Sequence, residues 1–266
     1  CRRLSENNRF VWVARNVSSD VARQLIHLEL KGIIIRKEQN RYYENLASQV
    51  IGFTDTDNQG ISGIELSYDS VLCGHDGSVF MQRTGDGMLY PAVDKPLIDP
   101  IDGNSIQLTL DMNIQAIVES ELKNGVENAG AEAAIAIVMD VKTGEILGMA
   151  NEPDFDMNVK STYSSARVRN RAITDAYEPG STFKIVMLTA ATELGLYGPQ
   201  DMVFAENGRY RIQNRTIYDH EKFGKITFAE AITHSSNIIA AKVAIQLGDD
   251  IFYKYARNYG FGEKTG

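Results

Sequence analysis

A serine and a lysine stand three residues apart at Ser181 and Lys184, a spacing that puts both side chains on one face of a helix. Glu178-Pro-Gly before the serine predicts a turn, and the apolar residues that follow predict a buried helix. Partial burial lowers the pKa of a lysine, and the neutral amine can remove the proton of a neighbouring serine, while helix-end amides hold the oxyanion that forms on an attacked carbonyl. A capping serine beside a lysine stem packed on apolar surface explains this pair about equally well.

The same spacing occurs at Ser120 and Lys123, but in a different context. These residues point away from an apolar stripe formed by Ile114, Ile117 and Leu122, which predicts the solvated side of an amphipathic helix. We therefore expect no chemistry from this second pair.

A further polar element, Ser235-Ser-Asn237, favours the chemical interpretation of the first pair. A capping box, Thr227-Phe-Ala-Glu230, begins a short helix before it, and residues 238–247 predict a buried apolar helix after it. The Ser235 hydroxyl could relay a proton between the lysine and a leaving group, and the Asn237 amide could orient a substrate carbonyl. A simple polar turn between helices becomes the less favoured interpretation when both elements are considered together.

The elements that must position these residues follow from periodicity and turn residues. Strands are predicted at residues 10–15, 33–35, 133–140 and 145–150, the last two joined as a hairpin by Lys142-Thr-Gly144. Helices are predicted after Ser18 or Ser19, around residues 114–122, and over 181–194 and 237–247. Half of the six prolines fall in residues 91–104, which indicates a boundary there.

Composition and missing motifs exclude several classes of protein. The net charge of −8 argues against a nucleic-acid-binding protein, and the scattered histidines argue against a zinc site. Asp55 begins like a calcium-binding loop, but Leu66 occupies the position where a bidentate glutamate is required. Glycine-rich phosphate loops are absent from the sequence. No apolar run is long enough to cross a bilayer. The chain begins at Cys1 rather than Met and stops abruptly at Glu263-Lys-Thr-Gly266, so we expect a piece of a longer polypeptide.

The motifs together resemble those of the class B penicillin-binding proteins, and the cell-division branch in particular. The segment leading to the serine, Arg169-Asn-Arg-Ala-Ile-Thr-Asp-Ala-Tyr-Glu-Pro-Gly-Ser-Thr-Phe-Lys184, is highly specific to that family. Further matches to the catalytic domain are Leu108-Thr-Leu-Asp111, Gln115 and the stretch 136–147. Arg41-Tyr-Tyr43 and Gly60-Ile-Ser-Gly-Ile-Glu65 match the non-catalytic part, where Glu44 replaces the usual proline.

The resemblance implies an α+β fold in two domains. Residues 1–104 would be an N-terminally truncated pedestal (dimerisation-type) domain of short strands and helices. Residues 105–266 would be a transpeptidase domain with an antiparallel sheet packed between helices, truncated at its C-terminus before the third catalytic motif. Lys264-Thr-Gly266 spells that motif, but it resembles the separate family segment Phe-Gly-x-x-Thr-Gly, so we expect the true motif further downstream.

The resemblance also implies a role for each site residue. Ser181 would be the nucleophile that takes an acyl group from the D-Ala-D-Ala end of a peptidoglycan stem peptide or from a β-lactam. Lys184 would be the general base, Ser235 the proton shuttle and Asn237 the holder of the substrate amide. No metal or organic cofactor is expected.

The expected protein is a serine D,D-transpeptidase of the bacterial cytoplasmic membrane, with an N-terminal anchor outside this chain and its soluble domains on the outer face. Division-machinery membrane proteins are its expected partners, and nucleic acid is not. The alternatives are a β-lactam sensor, a catalytically silent division scaffold, or a β-lactam hydrolase. The pedestal-like first hundred residues argue against the hydrolase.

Overall fold

The computed structural model describes residues 10–85, 88–92 and 94–264. It contains two units, Cys1–Asp175 and Ala176–Gly266, each with both helices and strands. The α+β class expected from the sequence is therefore confirmed. In the described ranges, no helix has the length and apolar character needed to cross a bilayer.

The first unit begins with short elements and ends with a longer helix and a hairpin. Its helices are α1 Ser19–His27, α2 Ser48–Ile51, α3 Gly63–Ser67, α4 Asp69–Leu72, α5 Met112–Ala129, α6 Ser165–Val168 and α7 Arg171–Thr174. Its strands are β1 Met81–Arg83, β2 Leu89–Pro91, β3 Ala134–Met139 and β4 Ile146–Glu152, paired antiparallel as β1–β2 and β3–β4.

Helix α5 packs on the β3–β4 hairpin, whose turn has the predicted sequence. The Asp140 carboxylate accepts hydrogen bonds from the backbone N–H groups of Lys142 and Thr143, and Gly144 adopts a φ of +79°. On the helix, Gln115 is 1% exposed and pairs with the backbone of Met149, donating at 2.9 Å and accepting at 2.8 Å. A buried side-chain amide thus locks α5 to the middle of β4.

Two predicted strands are not formed. Residues 10–15 and 33–35 lie within the described ranges but adopt bend and irregular conformations. Val13 is 62% exposed and Ile34 is 67% exposed. A β-branched run becomes a strand only when a neighbouring strand takes up its backbone hydrogen bonds, and neither run pairs with one among the described residues.

The second unit is a set of helices beside two small antiparallel pairs of strands. Its helices are α8 Lys184–Glu193, α9 Phe228–Thr233, α10 Asn237–Leu247 and α11 Asp249–Asn258. Its strands are β5 Met202–Phe204, β6 Arg209–Ile212, β7 Arg215–Tyr218 and β8 Lys225–Thr227, paired as β5–β8 and β6–β7. Contacts of α8 with α10 and α11, and between α10 and α11, surround an apolar core that includes Met187, Ala190, Phe228, Ile239 and Val243.

Candidate active site

Ser181 and Lys184 lie on one continuous helical segment. Gly180–Phe183 forms a 3-10 turn that runs directly into α8, with Lys184 as the first residue of the α-helix. Side chains three residues apart eclipse each other in a 3-10 turn, so the serine and the lysine share a face. Gly180 begins the turn with a φ of +59°, a left-handed conformation that glycine adopts without steric cost.

The Lys184 ammonium converges on the Ser235–Asn237 turn, as the sequence predicts. Its Nζ donates to the Ser235 carbonyl oxygen at 2.6 Å, to Ser235 Oγ at 3.0 Å and to Asn237 Oδ1 at 2.7 Å. These three acceptors match the three N–H donors of a protonated lysine. The structure therefore brings Lys184, Ser235 and Asn237 together across more than fifty residues of sequence.

Two helix ends meet at the Ser235–Asn237 turn. The Ser235 N–H bonds the Ile232 carbonyl and the Ser236 N–H bonds the Ala231 carbonyl, the hydrogen-bond pattern of a Schellman motif at the end of α9. Ser235 occupies the left-handed position of that motif with a φ of +52°. Ser236 then caps α10 by accepting from the Ile239 N–H at 3.1 Å. Ser235 is thus fixed between two helices, with its hydroxyl on Lys184.

The Asn237 amide is oriented on both sides. Its Oδ1 accepts from Lys184 Nζ, while its Nδ2 donates to the Tyr218 carbonyl oxygen at 3.0 Å. An amide nitrogen carries two N–H donors, and the structure records only this one bond for it among the described residues. The second donor is thus available to a carbonyl group brought to the site.

Ser181 lies at the same cavity without sharing the hydrogen bonds of the lysine. It is exposed, and together with Lys184 and Ser235 it lines a cavity of about 280 Å³ whose other walls are mostly apolar side chains of α8, α9 and α10. Within the described part of the chain, the Ser181 hydroxyl makes no hydrogen bond. Lys184 contacts the Ser235–Asn237 turn and not Ser181. Catalytic hydrogen bonds often tighten only when substrate is bound.

Opposing influences set the pKa of Lys184. Burial disfavours the charged ammonium and lowers the pKa from the ordinary value of 10.5, while the Asp219 carboxylate raises it by a smaller amount. The net shift is downward, so the neutral amine forms at a lower pH than in a free lysine. This is the direction that a general base requires.

Sequence reasoning missed the groups that support these residues. Asp219 and the Tyr218 carbonyl contact the Ser236–Asn237 segment from 17 to 19 residues away in sequence. Phe183, next to the lysine, packs edge-on against the rings of Phe252 and Phe261 at centroid distances of 5.8 and 4.7 Å. Contacts at such separations leave no local pattern in the sequence.

The remaining candidates behave as solvent-exposed or structural groups. Ser120 and Lys123 are exposed on α5, as predicted. The Asp55 carboxylate accepts from the backbone N–H groups of Asp57 and Gln59, which makes the segment a polar turn. Among the described residues, no group of three or more His, Cys, Asp or Glu side chains is arranged to hold a metal ion. Lys264 falls in an irregular segment, and Thr265 and Gly266 lie outside the described residues.

Family models match most of the chain. Residues 134–266 match the penicillin-binding protein transpeptidase domain, and residues 3–108 match the penicillin-binding protein dimerisation domain. All four predicted site residues fall within the first of these matches.

Curated relatives match nearly the whole chain. Peptidoglycan D,D-transpeptidase FtsI of Escherichia coli K12 is 33% identical over 97% of this chain and 43% of its own length. Stage V sporulation protein D of Bacillus subtilis is 34% identical over 95% of this chain and 40% of its own length. The chain therefore spans less than half the length of each of these relatives.

Solved structures of penicillin-binding proteins are also similar to this chain. Penicillin-binding protein 3 of Mycobacterium tuberculosis superimposes with a TM-score of 0.70 at 30% identity, covering 84% of this chain and 47% of that one. The same protein in complex with ampicillin gives a TM-score of 0.69 at 31% identity, covering 82% of this chain and 45% of that one.

Proposed function

The chain belongs to the class B penicillin-binding proteins, and on that premise we propose that the protein containing it is a serine D,D-transpeptidase of peptidoglycan synthesis. The observation that carries the proposal is the convergence of Lys184 Nζ on Ser235 and Asn237 at a cavity that Ser181 also lines. A serine, a partly desolvated amine, a relaying hydroxyl and an oriented amide are the groups that acyl transfer through a serine requires.

The first step is acylation of Ser181. Neutral Lys184 accepts the proton of the Ser181 hydroxyl. At the same time Ser181 Oγ attacks the carbonyl between the two terminal D-Ala residues of a stem peptide. The helix-end amides at the start of the Gly180–Phe183 turn stabilise the oxyanion, and the free N–H of Asn237 holds a substrate carbonyl. The C–N bond then breaks, the terminal D-Ala leaves with a proton, and the shortened peptide remains as an ester of Ser181.

The hydrogen bonds of Lys184 support Ser235 as the relay. A neutral amine has only two N–H donors and one lone pair, so one of its three contacts must become a donor or be given up. The Ser235 carbonyl can only accept, and Asn237 Oδ1 likewise only accepts. The Ser235 hydroxyl alone can both accept and donate, so while it accepts a proton from protonated Lys184 it can give its own proton to the leaving amine.

The second step transfers the acyl group to an amine. An amino group of a neighbouring stem peptide attacks the ester carbonyl and gives up a proton through the Lys184–Ser235 pair. The ester bond then breaks and Ser181 recovers its hydrogen. The new amide is the cross-link. A β-lactam enters the same first step, because its strained amide is attacked by Ser181 to give a stable ester.

The remaining assignments are part of the same proposal. Residues 1–104 form the pedestal domain and residues 105–266 belong to the transpeptidase domain, a division supported by the family matches at 3–108 and 134–266. The protein acts at the outer face of the bacterial cytoplasmic membrane, held by an N-terminal anchor, with division-machinery membrane proteins as partners. Support for a division role comes from the sequence around Glu178-Pro-Gly180 and from the similarity to FtsI.

The test uses the full-length product of the gene that contains this sequence. Intact mass is measured with and without benzylpenicillin, and the adduct is located by peptide mapping. We expect one stable adduct on Ser181, which Ser181→Ala abolishes and Ser120→Ala, the matched variant in the other Ser-x-x-Lys pair, leaves intact. A folded protein that forms no adduct would overturn the proposal.

A second assay separates the enzyme from its alternatives. A donor peptide ending in D-Ala-D-Ala and an acceptor amine should yield cross-linked product and free D-Ala. Acylation by penicillin without any cross-linked product would instead indicate a β-lactam sensor, and rapid loss of the adduct would indicate a β-lactam hydrolase.

A further inference from the structure

The carboxylate of Asp219 is built into the start of α10, although it comes from a distant part of the chain. It follows strand β7 directly and is half-buried. Its Oδ1 accepts from the backbone N–H of Asn237 at 2.6 Å and of Ile238 at 3.0 Å, while its Oδ2 accepts from the Ser236 hydroxyl at 2.7 Å. A single side chain therefore makes three hydrogen bonds to three consecutive residues.

These bonds do more than cap a helix. The first backbone N–H groups of an α-helix lack partners within the helix, and a local cap normally satisfies one of them. Ser236 already does so through the Ile239 N–H. Asp219 satisfies two more from outside, and the neighbouring Tyr218 carbonyl holds the Asn237 side-chain amide at 3.0 Å. Residues 218 and 219 thus fix Asn237 through both its backbone and its side chain.

Asn237, which Asp219 holds, carries one acceptor of Lys184, and Ser235, directly before the held segment, carries the other two. Asn237 Oδ1 lies 2.7 Å from Lys184 Nζ, and Ser235 precedes the segment in a left-handed conformation that only its surroundings maintain. We propose that Asp219 is a positioning residue, whose carboxylate sets the Ser235–Asn237 turn so that Ser235 and Asn237 meet Lys184. This inference rests on the proposed transpeptidase function and adds to it a residue that touches neither substrate nor the reacting atoms.

Charge gives Asp219 a second, measurable effect. Its carboxylate is the charged group that raises the pKa of Lys184 against the lowering by burial, so a neutral residue at 219 lets that pKa fall further. Five ionisable groups on or next to the neighbouring helices have contacts elsewhere: Glu230 of α9 bonds Thr227, His234 next to α9 lies on the Phe223 ring, Lys242 of α10 bonds Glu206, Tyr255 of α11 bonds Glu193, and Arg257 of α11 bonds Glu263.

The experiment compares Asp219→Asn with Asp219→Ala in the full-length protein. Asparagine keeps the shape and can still accept from the backbone, whereas alanine loses every bond. Misplacing a catalytic group by about 1 Å costs up to roughly a hundredfold in rate. We therefore expect Asp219→Ala to lower the acylation rate by about 10- to 100-fold and Asp219→Asn to recover part of that loss. In both variants the midpoint of the rate-against-pH curve should move to lower pH.

The matched control is Asp201→Ala. Asp201 lies in the same unit and also accepts from a backbone N–H, that of Gly198 at 2.7 Å, but it has no contact with Lys184 or the Ser235–Asn237 turn. We expect Asp201→Ala to lower the thermal midpoint without moving the pH curve. Asp219→Ala could instead behave like Asp201→Ala, with an unchanged pH midpoint and an acylation rate that falls only as far as the loss of folded protein explains. In that case the positioning role is wrong.

A direct titration keeps this result separate from that of the proposed function. The pKa of Lys184 is measured by NMR of labelled lysine, with Lys184→Met for assignment, in wild type and Asp219→Asn. A lower pKa in the variant supports the inference even if the wild-type protein fails to acylate, in which case the transpeptidase proposal alone fails. An unchanged pKa contradicts the inference whether or not the protein acylates.

Discussion

Replacing Gly180 with alanine tests whether the turn before Ser181 is required in its left-handed form. Gly180 has a φ of +59°, and a Cβ built on it meets nothing within 4 Å. Space is therefore not the constraint, and the whole cost is conformational, about 1–2 kcal/mol for a non-glycine residue in this region. The substitution could therefore either lower the free energy of unfolding or move Ser181 away from its reactive position.

Gly195 provides a matched control, because it has a φ of +65° and equally open surroundings. It lies just after α8, where the N–H groups of Gly195 and Leu196 bond the Thr192 and Ala191 carbonyls. Those bonds hold the backbone in place, so Gly195→Ala should lower the free energy of unfolding by about 1–2 kcal/mol and leave acylation unchanged. Any gain from restricting the unfolded chain is common to both variants and cancels in the comparison.

At Gly180 the Thr182 hydroxyl bonds the Pro179 carbonyl, but residues 178–182 are all exposed, so little packing holds the turn in place. We expect the turn in Gly180→Ala to relax, so that restoring the reactive position of Ser181 costs the same 1–2 kcal/mol, which corresponds to a fall of about 5- to 30-fold in acylation rate. The assay is the second-order rate of labelling by a fluorescent penicillin, with urea unfolding of the same samples. Wild-type labelling by Gly180→Ala, or an equal loss in Gly195→Ala, would refute the reasoning.

Three further outcomes are expected. Ser235→Gly and Ser235→Ala should lose acylation alike because both lack the hydroxyl, but the glycine variant should be more stable by about 1 kcal/mol in thermal or urea unfolding, since it is unstrained at a φ of +52°. Equal stabilities would argue against strain at this position. The acylation rate of the wild type should rise with pH and level off at a midpoint below 10.5, because burial lowers the pKa of Lys184 and the neutral amine is the base; a stopped-flow profile with its midpoint at or above 10.5 would contradict this. Phe228→Ala should lower the free energy of unfolding by about 3–5 kcal/mol, since Phe228 is 2% exposed in the core, whereas Ile245→Ala on the surface should change it by less than about 1 kcal/mol; similar losses in both would show that the core is placed elsewhere.

Local signals predicted the helical segments that carry the candidate site residues. The three-residue spacing of Ser181 and Lys184, the capping box at Thr227 and the apolar run after Asn237 each specify a short helical segment, and the structure has all of them. The exception is the segment that contains Ser181, which forms a 3-10 turn before α8 begins at Lys184. Such signals act within a few residues, so one sequence suffices to detect them.

Interactions between distant segments were not predictable in the same way. On α5, Ile117 was assigned to the buried stripe but is 63% exposed, while Gln115 is 1% exposed. Hydrophobic periodicity takes account of apolar residues only. It therefore does not predict that the side-chain amide of Gln115 is buried because it bonds the backbone of Met149. Asp219 was overlooked for the same reason, because its hydrogen bonds depend on how β7 approaches α10.

The two left-handed residues beside the site differ in what each must supply. Gly180 contributes only a backbone direction, so the residue without a steric cost stands there. In the proposed mechanism the Ser235 hydroxyl must contact Lys184, so glycine cannot replace this serine. The strain of a serine in the left-handed region must then be offset by other contacts. Two of those contacts come from Lys184 itself, on the carbonyl and the hydroxyl of Ser235. The protonated lysine therefore stabilises the turn that orients Ser235, the relay in the proposed mechanism. In the proposed mechanism the lysine reacts as the neutral amine, which has one donor fewer and holds the turn less firmly. The hydrogen bonds from Asp219 do not depend on that donor, so they matter most in this state.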